Sequence, residues 1–198
     1  MNATALGAAL RSEPFAHTTL PGLLAPDLAA AALTWMETVA PWKLRIESFY
    51  EQWELHLDPA TLPTVLQPLL TAAMVGHLSQ VMLAPLAQAK LCLTEVTAHK
   101  LLPGQTIRVH NDHRPDGETH RLLVQLNRGW EDDQGGLLML FSSPRAEDVS
   151  RVIRPVHGSA MAFEISPRSF HAVSTIRRGE RYTLVYSFKA SRAGPGQT

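Results

Sequence analysis

Residues 101–112 read LLPGQTIRVHND, a turn followed by a short extended run that closes on His110-Asn111-Asp112. Pro103-Gly104-Gln105 is turn chemistry. Thr106 to Asp112 then reads as a strand. Side chains two apart on a strand point to the same side. An imidazole at 110 and a carboxylate at 112 are therefore expected to converge with no unusual backbone geometry. His113 to Glu118 follows as a polar loop, long enough to form a rim or lid.

Outward from this run the chain keeps the period of strands. Cys92–Leu102 precedes it. Arg121–Asn127, Gly136–Phe141, Val152–Val156, Ser159–Ile165, Ser169–Ile176 and Tyr182–Phe188 follow, separated by Gly, Pro, Asn and Asp turns. About eight short strands with turn signals between them predict a sandwich, barrel or jelly roll. The first half has a different character. Leu28–Thr38 is rich in helix formers, with Asp27 expected as the N-cap and Pro41 as the stop. Leu44–Leu57 reads as extended. Leu62–Ala87 returns to spacings of three and four, with breaks expected at Pro68 or Gly76. The fold class is therefore α+β, mainly β: a double-stranded β-helix (jelly roll) core with N-terminal helices packed outside. One domain is expected over 1–190, made of a helical and extended part (1–90) and the jelly-roll core (91–190), with 191–198 as a disordered tail.

Composition excludes several classes. The chain of 198 residues has no net formal charge, so no global field favours nucleic acid. Cys92 is the sole cysteine, which rules out an internal disulfide scaffold and is compatible with a cytoplasmic location. The N-terminus MNATALGAALRSEPF does not read as a signal peptide. The apolar stretch 63–87 is interrupted by Gln67, His77 and Gln80, too polar for a membrane span. No nucleic-acid or membrane partner is expected, and oligomeric state is not legible.

Chemistry is expected where His110 and Asp112 meet a third ligand, His171, from a later strand. Two histidines and one carboxylate on one side of a metal leave the opposite positions open, the arrangement of non-haem Fe(II) oxygenases. The spacing alone is weak: 9 histidines and 18 acidic residues give about 0.8 His-x-acid pairs by chance. A second pair, His56-Leu57-Asp58, does occur. Asp58-Pro59 looks like a strand exit or helix cap, and no partner histidine follows in the β core, so it is read as structural.

The order of further motifs decides between the pairs. Pro103-Gly104, His110-x-Asp112, Leu126-Asn127-Arg128-Gly129-Trp130, Gly135-Gly136-Leu137-Leu138, Ile153-Arg154-Pro155, Gly158, Phe163, Ser169-Phe170-His171-Ala172-Val173 and Gly179-Glu180-Arg181-Tyr182 follow one another. In that order the region 101–188 resembles the catalytic core of prolyl-hydroxylase-type 2-oxoglutarate oxygenases. The resemblance implies iron(II) on His110, Asp112 and His171, with 2-oxoglutarate and O2 as co-substrates. Arg181 stands where the family's basic residue grips the far carboxylate of 2-oxoglutarate, a task suited to a guanidinium fork. Leu101 and Gln125 occupy places where the family commonly has tyrosine, and Leu137 follows Gly-Gly where an acid is common.

Strand parity refines the expected pocket. Arg121, Leu123, Gln125 and Asn127 share one face of their strand, and the wholly apolar Leu122, Val124 and Leu126 share the other. By family analogy the first set lines the cavity: Leu123 against the co-substrate's methylenes, Gln125 donating to its carboxylate, Arg121 beside an anionic group of the substrate. Thr183, on the face of Arg181, adds a hydroxyl. His99 lies on a cavity-facing side but reads first as a satisfied structural histidine. His113 and His120 are expected to be exposed, and Trp130 to pack. The implied reaction couples oxidative decarboxylation of 2-oxoglutarate, giving succinate and carbon dioxide, to hydroxylation of an unactivated C–H bond in an amino acid, short peptide or small metabolite. A peptidyl-prolyl or other protein-residue hydroxylase and a cupin-like metal protein without 2-oxoglutarate are the alternatives. The presence of Asp112 favours hydroxylation, since related halogenases hold a small residue there.

Overall fold

A computed structural model describes residues 8–191. Twelve strands occur in chain order: β1 (Ala9–Arg11), β2 (His17–Leu20), β3 (Lys43–Glu47), β4 (Tyr50–His56), β5 (Leu91–Leu101), β6 (Ile107–His110), β7 (His120–Gln125), β8 (Leu138–Phe141), β9 (Val149–Ile153), β10 (Ala160–Glu164), β11 (His171–Val173) and β12 (Arg181–Ala190). All pair antiparallel, in the order β1-β2-β10-β7-β12-β5-β4-β6-β11-β8-β9, with β3 on the outer side of β4. The β4–β6 link is a single pairing, Tyr50 with Ile107. That hinge divides the ladder into a major sheet (β1-β2-β10-β7-β12-β5-β4) and a minor sheet (β6-β11-β8-β9). The two face each other: Leu101, Met161 and Phe163 of the major sheet share a buried cluster with Leu138, Leu140 and Val173 of the minor one. This is the expected jelly roll.

The apolar set Leu122, Val124 and Leu126 is fully buried, as parity predicts. With Leu184, Tyr186 and Phe188 it forms the outer face of the major sheet. Helices cover it. The first is α1 (Pro26–Thr38), which sets Ala29, Ala32, Leu33 and Met36 inward at spacings of three and four. A 3-10 helix (Thr64–Leu70), α2 (Ala72–Leu78) and a π turn (Ser79–Leu83) complete the layer with Leu66, Leu69, Leu78, Met82 and Leu83. Each large apolar side chain buried here contributes about 1.5–3 kcal/mol. That layer makes one face of the major sheet rigid and leaves the other free for polar work.

Three local expectations change. Pro26 itself opens α1 at the first helical position, where a missing N–H costs nothing, so Asp27 sits in the first turn instead of capping it. The break in the second helical region falls at Thr71, whose extended backbone and hydroxyl cap α2 at the Met74 N–H; Gly76 stays inside the helix. The N-terminal part also supplies strands to the major sheet, not helices alone. β2 pairs with β10, placing His17 opposite Phe163, and β3–β4 form a hairpin within the run read as one extended stretch. The tail read as 191–198 lies outside the described residues, apart from Ser191, whose amide donates to Lys90 O at 2.8 Å. No helix among the described residues is long and apolar enough to cross a membrane.

Candidate metal centre and active site

β6 and β11 lie side by side in the minor sheet, with His110 directly opposite His171. Their ring centroids are 4.1 Å apart. His110 Nε2 lies 3.4 Å from Asp112 Oδ1, and His171 Nε2 lies 3.4 Å from Asp112 Oδ2. One donor atom from each of the three side chains falls within 4.8 Å of the others. Each imidazole donates its Nδ1–H to the carbonyl two residues upstream: His110 to Arg108 O at 2.9 Å and His171 to Ser169 O at 2.8 Å. That fixes both rings in the tautomer with a bare Nε2 lone pair, as a metal requires. Burial, followed by the nearby His110, lowers the His171 pKa and keeps the ring neutral. Phe49 stacks on His110 at 4.5 Å and Phe163 meets His171 edge-on at 4.9 Å, so each ring is also held sideways.

The expectation of ordinary strand geometry at 110–112 is overturned. β6 ends at His110, and Asp112 adopts φ +57°, the left-handed region that Asp tolerates better than most residues. Asn111 is pinned on both sides. Its amide donates to Pro167 O at 3.2 Å, and its own carbonyl accepts from Ser169 Oγ at 3.0 Å. The carboxylate is thus turned toward the imidazoles by a clamped backbone, not by strand parity. Burial pushes the Asp112 carboxyl up, but the adjacent Arg121 guanidinium outweighs it and holds the group well below the usual carboxylate range. Two neutral imidazole nitrogens and one anionic oxygen, all aimed at one point, suit a divalent transition metal and match an Fe(II) site.

Arg121 is not a solvent-facing charge. Its Nη1 donates to Asp112 Oδ2 at 2.8 Å and its Nη2 to Glu118 Oε2 at 2.7 Å. Burial opposes its charge, but the Asp112 and Glu118 carboxylates prevail and raise its pKa.

A cavity of about 680 Å³ opens beside the triad. The inner face of the major sheet supplies three cross-strand rows to it. Arg121 lies opposite Ser187, which lies opposite Glu95. Leu123, Val185, Thr97 and His56 form the next row, and Gln125, Thr183, His99 and Glu54 the third. Beyond them Arg181 is only 4% exposed. Its Nε donates to Gly136 O at 2.9 Å and its Nη1 to Thr183 Oγ1 at 2.7 Å. Glycine at 136 is required: φ is +64°, and a Cβ would stand 3.0 Å from Arg181 Cδ and 2.7 Å from Ile176 Cδ1. Burial pushes the Arg181 pKa down to about 10, still charged at neutral pH. No carboxylate among the described residues pairs with it. A buried guanidinium without a counter-ion fits an anionic ligand.

Leu123, Thr183, His99 and Arg121 all line the cavity. Gln125 does not. It is 3% exposed, and its Oε1 accepts from Thr183 Oγ1 at 3.0 Å, so it supports Thr183 from behind. His99 is a satisfied polar wall residue, with Nε2 3.0 Å from Thr97 Oγ1, and burial drives its pKa down to about 3. His120 is 5% exposed, contrary to expectation, because it opens β7 between β10 and β12. His113 is exposed. The 113–118 loop forms part of the rim, and Trp130 packs, donating to Gly135 O at 2.9 Å. Sequence reasoning missed Phe49, Glu118 and the inner residues of β4, namely Tyr50, Gln52, Glu54 and His56. The other face of β4 carries Trp53 and Leu55 beside Glu51, so parity separates the two faces, but nothing in the sequence ties the polar one to the cavity. Thr97 was findable: it shares the face of His99, opposite the apolar Val96 and Ala98.

Residues 96–189 match the family model described as the 2OG-Fe(II) oxygenase superfamily. No curated protein sequence matches the chain at a significant level. Among solved structures, a Pseudomonas putida prolyl-4-hydroxylase shares 21% identity, with 88% of this chain and 92% of that one covered and a TM-score of 0.70. A Trichoplax adhaerens prolyl hydroxylase, solved with a hypoxia inducible factor oxygen degradation domain peptide fragment, shares 15% over 91% and 87%, with a TM-score of 0.71. HygX from Streptomyces hygroscopicus, with nickel and 2-oxoglutarate bound, shares 10% over 89% and 83%, with a TM-score of 0.63. At these identities the likeness is one of fold.

Proposed function

We propose, from the match of residues 96–189 to the 2OG-Fe(II) oxygenase superfamily model, that the chain hydroxylates an unactivated C–H bond of an amino acid, short peptide or small metabolite. In the overall balance, substrate C–H, 2-oxoglutarate and O2 give substrate C–OH, succinate and carbon dioxide. His110, Asp112 and His171 hold the iron, and Arg181 anchors the far carboxylate of 2-oxoglutarate. Iron(II), when bound with 2-oxoglutarate and O2, supplies the oxidising power. The observation that carries this reading is the pairing of two features in one cavity: the convergent triad and, at the other end of β12's inner face, a buried guanidinium with no carboxylate partner.

The chain's own groups then have separable tasks. The carbonyls of Arg108 and Ser169 keep both Nε2 atoms free of protons. Arg121 holds the Asp112 carboxylate anionic and fixes its rotation. Thr183, its hydroxyl donated to Gln125 Oε1, accepts from Arg181 Nη1 and fixes the orientation of that guanidinium. Leu123 and Val185, one row nearer the triad, give the co-substrate's methylenes an apolar bed.

Anaerobic titration with Fe(II) and 2-oxoglutarate is expected to raise the visible charge-transfer band of a chelated keto acid. A substrate screen read by succinate release then identifies the acceptor. Absence of that band at saturating iron and co-substrate overturns the reading. A second reading, peptidyl-prolyl hydroxylation, draws support from the fold shared with prolyl hydroxylases; proline-containing peptides in the same screen decide it.

A further inference from the structure

The cavity extends well beyond what a metal and 2-oxoglutarate need. Its co-substrate lane follows the inner face of β12 and β7 from the triad to Arg181. β4 lies two strands from β12, about 10 Å away. The wall formed by β5 and β4 therefore faces a separate volume. Its inward residues are Glu95, Thr97 and His99 on β5 and Tyr50, Gln52, Glu54 and His56 on β4. No aliphatic side chain interrupts them.

The hydrogen-bond capacity of this wall is unevenly used. Its donors are engaged. Gln52 Nε2 donates to Glu54 Oε1 at 2.6 Å, Tyr50 OH to the same oxygen at 3.1 Å, and Thr97 Oγ1 pairs with His99 Nε2 at 3.0 Å. The cations are engaged too. Arg121 serves Asp112 and Glu118 through its Nη atoms, its unpartnered Nε lying in the row of Glu95, and Arg45 bonds Glu47 at 2.9 Å, reaching Glu54 Oε2 only at 3.7 Å. The acceptors are left over. Gln52 is 2% exposed and its Oε1 has no partner. Among the described residues Glu54 Oε2 has only the long Arg45 contact. Glu95, two rows away and partly exposed, faces His56 Nδ1 at 3.8 Å and the Arg121 charge. Arg114 lies on the 113–118 loop at the rim, not in the wall. A buried acceptor without a donor is costly, and a bound donor relieves that cost.

We propose that the substrate is a donor-rich cation, a small molecule carrying a protonated amine that docks on Glu54 and donates a further N–H or O–H to the neighbouring Gln52 Oε1. A substrate bearing only a carboxylate meets acids and a carbonyl on this wall. His99 adds no charge: burial, then Arg121 and Arg181, keeps it neutral at physiological pH. The substrate class rests on the hydroxylase reading, but the recognition can be measured without turnover.

The test is calorimetric titration of the metal-free full chain with two matched sets: glucosamine, glucose and glucuronate; cadaverine, pentanol and valerate. The amine of at least one set is expected to bind at least about tenfold more tightly than its neutral and anionic counterparts, as a charge-assisted hydrogen bond implies. Glu54→Gln is expected to weaken that amine about tenfold. Gln52→Met, which removes the orphan acceptor without adding charge, weakens it several-fold. Equal binding within both sets, or an amine indifferent to Glu54→Gln because it sits on the bare triad, overturns the proposal. The iron and 2-oxoglutarate titration runs in parallel. Amine selectivity without a charge-transfer band leaves the wall standing and removes the oxygenase role; a band without amine selectivity does the reverse.

Discussion

The chain contains the pattern His-x-Asp twice at the end of a strand, and the two copies have opposite fates. β4 ends at His56 as β6 ends at His110. Asp58 leaves its strand toward solvent and accepts the Ala60 N–H at 2.8 Å, an ordinary turn cap. The His56 side chain is 62% exposed and faces Glu95. Asp112 instead turns back through a left-handed backbone onto two imidazoles. The local sequence does not separate them. The separation comes from neighbours: β11 sets His171 opposite His110, Phe49 covers the ring, Ser169 and Pro167 clamp Asn111, and Arg121 supplies the counter-charge. A ligand pair becomes a metal site through the strand beside it.

The contrast can be broken most severely at Asp112. Asp112→Ala is expected to cut succinate formation by roughly a thousandfold or more, since the metal's transition-state stabilisation is worth several kcal/mol. Asp58→Ala, in the same assay, is expected to change turnover less than about twofold and to lower stability by about 1 kcal/mol in chemical denaturation. Equal damage from the two would show that the pattern, not its surroundings, carries the chemistry. Next in size is Arg181→Met, which strips the cavity of its buried cation. The KM for 2-oxoglutarate is expected to rise about a hundredfold with Tm little changed, measured with added formate absent. Arg121→Met tests the support that Asp58 lacks. Iron affinity, read by anaerobic titration, is expected to fall about tenfold to a hundredfold, the usual cost of losing a group that orients a metal ligand.

The smallest effect is on stability against pH. The folded pKa of His99 is depressed to about 3, so between that value and the ordinary 6.5 the unfolded chain binds a proton that the folded chain refuses. Stability therefore rises with pH across that window and is lost as pH falls through it. His99→Gln is expected to flatten the fall in Tm between pH 6.5 and 5, with other lowered histidines, His17 and His171, keeping part of the slope. An unchanged slope would mean that His99 is solvated.

Much of this was legible in the residues because the β half obeys a simple parity. Leu122, Val124 and Leu126 declared an apolar face, and that face is the core; Leu123 and Arg121 then had to look the other way. The eight runs read in 91–190 each overlap a strand because turn residues separate them, although β9 begins at Val149, three residues ahead of the run read at Val152–Val156. What escaped had no period to betray it. β1 and β2 are three and four residues long; β2 is held by pairing to β10, a long-range contact with no local signature, and β1 by pairing to β2. The inward residues of β4 are hydrophilic while its other side mixes Glu51 with Trp53 and Leu55, and no motif tied the polar side to the site. Gln125 was placed on the correct face but at the wrong depth, because Thr183 stands between it and the cavity. Asp112 was assigned its role for a geometric reason that the backbone does not follow.

That last departure bears on how the site can change over generations. At φ +57° a β-carbon is a mild burden, and glycine would relieve about 1 kcal/mol of strain while deleting the carboxylate. Aspartate and glycine codons differ by one base. The scaffold therefore stands a single nucleotide away from a descendant that keeps both imidazoles and the clamped turn but presents a vacant corner to the metal, ready for a small anion. Glutamate, also one base away, faces both the backbone and a longer reach, so drift at this position is channelled toward loss of the side chain and away from its extension.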